Sequence, residues 1–197
     1  MEKSFPPKPG ISEVTKYLKE WKKLEKYTSQ ERALNKLFLE LLPGNSEITD
    51  ILLKASCLND FYSTNIFAIH SVAEHILSVK DLDKRLKSGD INLVSELEEV
   101  KIGDNKRYFY SFATKYCSHH NPIAFPIYDS YVEKVLVYFN KVDKFSSFKR
   151  KDLKDYRKFK GGLLDFQRYY KLERFNLKEI DRYLWLLGKE IFPRYKN

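Results

Sequence analysis

The chain is predicted to be all-α, with about ten helices of modest length in two lobes. Three observations predict it. Apolar residues recur at three- and four-residue spacing along most of the 197 residues. Strand-like alternation is almost absent. Only seven glycines interrupt the chain, so the connections are short. A hydrophobic content of 43% with 32% charged residues is that of a globular protein. The expected organisation is a flexible segment at 1–10, then a single domain at 11–197 large enough to bury a core.

Each element has its own warrant. Apolar residues at 11, 14, 17, 18, 21 and 24 form a helical stripe over Ile11–Leu24. Ser29 is a natural N-cap for a second helix reaching Leu41 or Leu42, where Pro43-Gly44 stops it. Helices over 46–62 and 65–79 follow, divided near Ser63-Thr64. Lys80–Lys87 carries Leu82 and Leu86 and is broken by Ser88-Gly89-Asp90; Leu93–Val100 is short and acidic. Helices over 106–119, 129–140, 152–172 and 177–191 complete the series, the third with a possible break at Gly161-Gly162.

Composition excludes several classes. Two cysteines, Cys57 and Cys117, neither in a CxxC pair, do not make a disulfide scaffold or a four-cysteine cluster loop. No apolar run approaches the roughly 20 residues needed to span a bilayer, so no membrane partner is expected. The first ten residues hold three prolines and no apolar core of a secretory signal, which reads as cytoplasmic. His70, His75, His119 and His120 lack metal-ligand spacing, so neither a metal nor any other cofactor is expected.

Net charge is +9, and its distribution is uneven. From Lys141 to Lys160, nine Lys/Arg face three Asp, a surplus of six in about a tenth of the chain, with Phe145, Phe148, Tyr156 and Phe159 interleaved. Such a tract suits a phosphate backbone through counterion release; it equally suits a solvated helix face. Lys149, Arg150, Lys151 and Lys154 are its candidate nucleic-acid contacts, and Lys106 with Arg107 forms a second, smaller group.

The segment Phe125-Pro126-Ile127-Tyr128-Asp129-Ser130-Tyr131-Val132 places Asp129 at or beside a helix N-cap. The helix before it carries Ser111 and Lys115 four residues apart on one face. Farther upstream, Ser63-Thr64-Asn65 reads as a polar turn entering a helix. Together these segments, over about 46–140, resemble the helix-hairpin-helix base-excision DNA glycosylases. The resemblance implies a two-lobed helical fold with DNA as partner and a nucleoid-associated location. It also implies hydrolysis of an N-glycosidic bond, with Asp129 as the essential carboxylate stabilising an oxocarbenium-like transition state. Ser111 falls at the position where lyase-type members carry a nucleophilic lysine, so a monofunctional reaction is implied, with Lys115 one turn later as a possible substitute. Ser63, Thr64, Asn65 and Tyr128 would line the base pocket. The chain departs from the family at 100–110, where one glycine, Gly103, stands in place of a glycine-rich hairpin turn. Two further classes stay open: a catalytically inactive nucleic-acid-binding module, and an adaptor presenting aromatic surface. The sequence leaves the base and the oligomeric state open.

Overall fold

The computed structural model describes residues 5–193. It is all-α: 67% of these residues are helical, in ten α-helices with one π-helical and one 3-10 segment, and the sheet is a two-stranded hairpin. The chain divides into two compact units. One is continuous, residues 26–127; the other joins the chain up to residue 25 with the part from 128 onward.

The discontinuous unit contains α1 (Ile11–Lys23), α8 (Ser130–Asp143), α9 (Tyr156–Tyr169) and α10 (Leu177–Ile191), with a 3-10 helix at Arg150–Lys154. The stripe expected on α1 packs on α10: Val14 and Tyr17 are buried, and the Tyr17 hydroxyl donates to Glu190 Oε2 at 2.9 Å. Trp21 meets Trp185 edge-on at 6.0 Å. α10 is a well-specified helix, opened by Asn176 and Glu179 in a capping box. It buries Ile180, Tyr183, Leu184 and Leu187 and packs on both α8, which buries Val132, Val135 and Leu136, and α1, where Tyr183 meets Tyr17 at 5.5 Å. Their close approach depends on Gly188, where a Cβ would lie 2.7 Å from the Tyr131 carbonyl oxygen.

The continuous unit contains α2 (Glu25–Asn35, entered at the unit boundary), α3 (Ile48–Tyr62), α4 (Ile69–Ser78), α5 (Leu82–Ser88), α6 (Leu93–Glu98) and α7 (Tyr110–His120). α2 runs into a π-helical segment, Lys36–Leu41, closed by Leu42 N–H donating to Leu37 O at 2.9 Å. α3 packs on α4, and α6 on α7. α7 is buried almost all round, from Phe112 to His119, so polar Thr114, Lys115, Ser118 and His119 are enclosed with the apolar side chains.

Four expectations about local structure need correction. The second helix begins at Glu25 rather than at Ser29, whose hydroxyl donates back to Lys26 O at 3.1 Å from inside the helix. Residues 106–109 are not helical: Glu99–Ile102 (β1) pairs antiparallel with Asn105–Tyr108 (β2) around Gly103-Asp104. Gly103 takes φ +59°, the sign a tight hairpin turn needs at its first loop position. Ser63-Thr64-Asn65 does not start a helix. Ser63 ends α3 in the left-handed region, Asn65 is left-handed too (φ 56°), and α4 waits until Ile69. Finally, the helix expected from Asp152 starts at Tyr156 with Asp155 as its cap and runs unbroken through Gly161-Gly162. A Cβ on Gly162 would lie 3.1 Å from the Phe148 ring, so this glycine admits the ring rather than ending the helix.

Candidate functional site

The aspartate segment is built as its sequence suggests. Ile127 and Tyr128 are buried; Asp129, extended at φ −137° and ψ 153°, is the N-cap of α8. Its Oδ1 accepts the Tyr131 N–H at 2.8 Å. The side chain is half-buried and its second oxygen makes no hydrogen bond among the described residues, so one carboxylate oxygen is held at the positive end of α8 while the other has none of these partners.

Tyr128, next to Asp129 in the segment, is buried. Its hydroxyl bonds to the buried carboxylate of Glu133, and Lys154 Nζ donates to that hydroxyl at 2.5 Å and lies 4.4 Å from its ring centroid. Arg150 Nε donates to Glu133 Oε1 at 2.7 Å, with Lys154 Nζ 3.6 Å from Oε2. Glu133 lies within α8, so two of the four expected phosphate-binding residues of the basic tract neutralise a buried acid of their own unit. Lys149 and Lys151 are exposed and form no ion pair. In the hairpin, Lys106 pairs with Glu99 at 2.5 Å, while Arg107 is exposed and forms no ion pair.

Ser111 and Lys115 lie in the continuous unit, and Asp129 in the other. They meet across one turn of α7 as their spacing requires. Lys115 is buried; its Nζ donates to Ser111 O at 3.2 Å and to Ser111 Oγ, and lies 5.2 Å from the Tyr62 ring centroid. Tyr62 OH bonds in turn to His119 Nε2 at 3.1 Å. Ser63, Thr64 and Asn65 form a turn locked by Asn59: its Oδ1 accepts from Thr64 Oγ1 at 2.7 Å and from Ile66 N at 2.9 Å.

One polar cluster went unread in the sequence. Asn45 is its hub. Its Oδ1 accepts from Lys54 Nζ (2.7 Å) and Tyr116 OH (2.5 Å); its Nδ2 donates to Asp83 Oδ1 (2.5 Å) and lies 3.3 Å from His120 Nε2. Lys54 is fully buried, its Nζ also donating to Gly44 O at 2.6 Å, and desolvation lowers its pKa to about 8 despite Asp83 and Asp50 nearby. The readable signal was Lys54 itself. It sits among Ile51, Ala55 and Leu58 on the buried stripe of α3, where a lysine needs partners.

His120 in this cluster makes stability acid-sensitive. Burial first, then the Lys54 charge, pushes its pKa from 6.5 down to about 3, against a weaker opposing pull from Asp83. The folded protein therefore binds fewer protons than the unfolded chain between these values. Stability is complete above pH 6.5 and is lost as pH falls toward 3. Between pH 6.5 and 5.5, above the range where the paired carboxylates Asp90, Glu96 and Glu99 begin to titrate in the unfolded chain, the wild type should lose about 1 kcal/mol, with His120→Gln flat. Urea unfolding across this range checks it; parallel slopes for the two proteins would assign the acid sensitivity to other groups.

Residues 13–124 match the family model HI_0787_N, an N-terminal domain, and the chain belongs to this family. An uncharacterized protein of Haemophilus influenzae is 73% identical over 150 residues, covering 76% of this chain and 72% of that protein. No solved structure matches. Among the described residues, no helix is long and apolar enough to cross a membrane, and no three His, Cys, Asp or Glu side chains converge as metal ligands.

Proposed function

We propose that this chain is a DNA glycosylase-like protein that excises a base from DNA by hydrolysing its N-glycosidic bond, with Asp129 as the essential carboxylate. The observation that carries the reading is the geometry of Asp129: one oxygen fixed by the Tyr131 N–H, the other free, at a half-buried helix start. A carboxylate held this way needs no reorganisation to stabilise positive charge developing on a sugar carbon, and its free oxygen is able to orient a water. With Ser111 in place of a lysine nucleophile the reaction is hydrolytic, and the base must leave the stack to be reached. Lys149, Lys151 and Arg107, exposed and without an ion pair among the described residues, are cations suited to DNA phosphates. Action on DNA would place the protein in the cytoplasm, with the nucleoid.

The test is a panel of uracil-, alkyl- and oxidised-base duplexes. Wild type should release a base; Asp129→Asn should keep the fold and duplex affinity yet lose about 100-fold or more in excision rate. Asn still caps the helix, whereas Asp129→Ala should also cost about 1 kcal/mol in stability. Excision unchanged in Asp129→Asn would remove this residue from the mechanism. Borohydride should trap no covalent adduct; a trapped one would point to Lys115 or another amine as nucleophile.

A second reading, a nucleic-acid-binding module without activity, is favoured by the hairpin. Residues 99–108 form a β-ribbon with Lys106 spent on Glu99 rather than a glycine-rich turn offering N–H groups to phosphate. Salt-dependent duplex binding without excision of any base in the panel would favour it.

A further inference from the structure

Arg150 and Lys154 are tied to Glu133, but the tie uses only part of each cation. Arg150 donates to Glu133 Oε1 through Nε, at 2.7 Å. A guanidinium carries its donors in a planar fork, and Nη1 with Nη2 forms a second edge. Among the described residues neither Nη makes a hydrogen bond, and the Arg150 side chain is 70% exposed against 7% for Glu133. One edge of the guanidinium is thus anchored to a buried acid while the rest of the group stands in solvent. Lys154 is placed the same way: its Nζ donates to Tyr128 OH at 2.5 Å and lies 3.6 Å from Glu133 Oε2, with the side chain 63% exposed.

Charge and rigidity select the ligand. Two cations meet one carboxylate, so the cluster keeps a surplus positive charge. Exposed Lys149 and Lys151 flank Arg150 in sequence, and the acid beside them, Asp152, is engaged by the Lys149 N–H at 2.8 Å and by Lys158 Nζ at 3.3 Å. An exposed arginine ordinarily loses rotamer freedom when it binds. Here Glu133, itself bonded to the Tyr128 hydroxyl, has already fixed the guanidinium on folding. An outward pair of Nη groups beside an ammonium suits the two non-bridging oxygens of a phosphate. Asp129 O accepts the Glu133 N–H at 2.9 Å, so the cluster is rooted one helical turn from the proposed catalytic carboxylate. That turn is about 6 Å along α8.

We propose that Arg150, positioned by Glu133 and assisted by Lys154, clamps one backbone phosphodiester of DNA through its Nη edge. The inference rests on DNA as the partner, as proposed above, and does not require base excision. Glu133 is a positioning residue: it touches no DNA and acts by holding the guanidinium with its Nη edge free. The pairing with Glu133 then prepares these two cations for phosphate instead of consuming them.

The test is fluorescence anisotropy of the full chain on a labelled, undamaged duplex across a salt series. Arg150→Lys keeps the charge and loses the fork, so it should weaken binding at least fivefold with the salt slope unchanged. Glu133→Gln keeps the size of the buried side chain. It should weaken binding at least threefold although it adds a net positive charge, and should have no further effect in an Arg150→Lys background. Should Glu133→Gln fail to fold, Arg150→Lys, at an exposed position, decides alone. Tighter binding by Glu133→Gln would mean that the acid competes with DNA for Arg150, and overturns the proposal. So does wild-type affinity in Arg150→Lys, which would reduce the clamp to charge alone while leaving DNA as the partner. A wild type with no salt-dependent duplex affinity overturns the DNA reading as well. Inorganic phosphate in millimolar excess, matched in ionic strength with chloride, should not displace the duplex; displacement would give the site to a free phosphate compound and overturn the clamp.

Discussion

Asn45→Ala should destabilise the protein by about 3–5 kcal/mol, more than any other single truncation argued from this structure. The substitution removes little apolar area, so ordinary core truncation is not the cause. It removes the acceptor shared by Lys54 Nζ and Tyr116 OH and the donor shared by Asp83 and His120. Lys54 has no surface exposure and would keep one hydrogen-bond acceptor among the described residues, Gly44 O, beside the Phe38 and Tyr116 rings. An ammonium enclosed that way costs several kcal/mol or gives up its proton. The partner experiment separates this cause from a generic cavity. In a Lys54→Met background, Asn45→Ala should cost at least about 2 kcal/mol less, because no buried charge remains to be stranded. Additive effects in chemical denaturation would rule out the stranded-charge account.

Gly188→Ala should cost about 3 kcal/mol, and the sign is not obvious from the sequence alone. Alanine is the better helix former by roughly 1 kcal/mol at a helix interior. The added Cβ, however, would stand 2.7 Å from Tyr131 O, 2.8 Å from Tyr131 Cβ and 3.0 Å from Tyr131 C. Two of these are backbone atoms of α8, which cannot swing aside as a side-chain tip does. Relief requires α8 and α10 to separate, opening the packing of Val135, Leu136, Leu184 and Leu187. The clash outweighs the propensity. Gly161 supplies the control: it is also helical, but a Cβ there meets nothing within 4 Å, so Gly161→Ala should stabilise by about 0.5–1 kcal/mol. Thermal unfolding of both variants decides it, and a stable Gly188→Ala would mean that the two helices have room to move.

What the sequence revealed depended on how local the determinant was. The stripes of α1, α8 and α10 are written in consecutive residues, and Asp129 announces its capping role through the proline three residues before it. The hairpin was hidden because Val100 and Ile102 alternate for too few residues to outweigh the aromatic run Tyr108-Phe109-Tyr110, which reads as the first turn of α7. Residue type alone marks Ser29 and Ser63-Thr64-Asn65 as helix starts; whether such residues begin, end or ride within a helix is decided by neighbours in space. Asn45, Lys54, Asp83 and His120 span 75 positions, and their meeting follows from the packing of α3, α5 and α7, which no spacing rule contains. A separation of 17 residues was enough to hide the pairing of Glu133 with Arg150, and with it that of Lys154, so the lysines and arginines of 141–160 looked uniformly available.

The discontinuous unit carries a consequence for synthesis. Its first helix, α1, finds its main partner, α10, only at the far end: Tyr17 bonds to Glu190, 173 residues later. Residues 26–127 form one compact unit of consecutive residues, so they are equipped to fold while the ribosome still holds the rest. α1 must meanwhile wait as an unpartnered amphipathic segment with Val14, Tyr17 and Trp21 uncovered, a natural target for holdase chaperones. A ribosome stalled short of Leu177 would release a chain whose middle is folded and whose first helix is orphaned, marking the product for proteolysis.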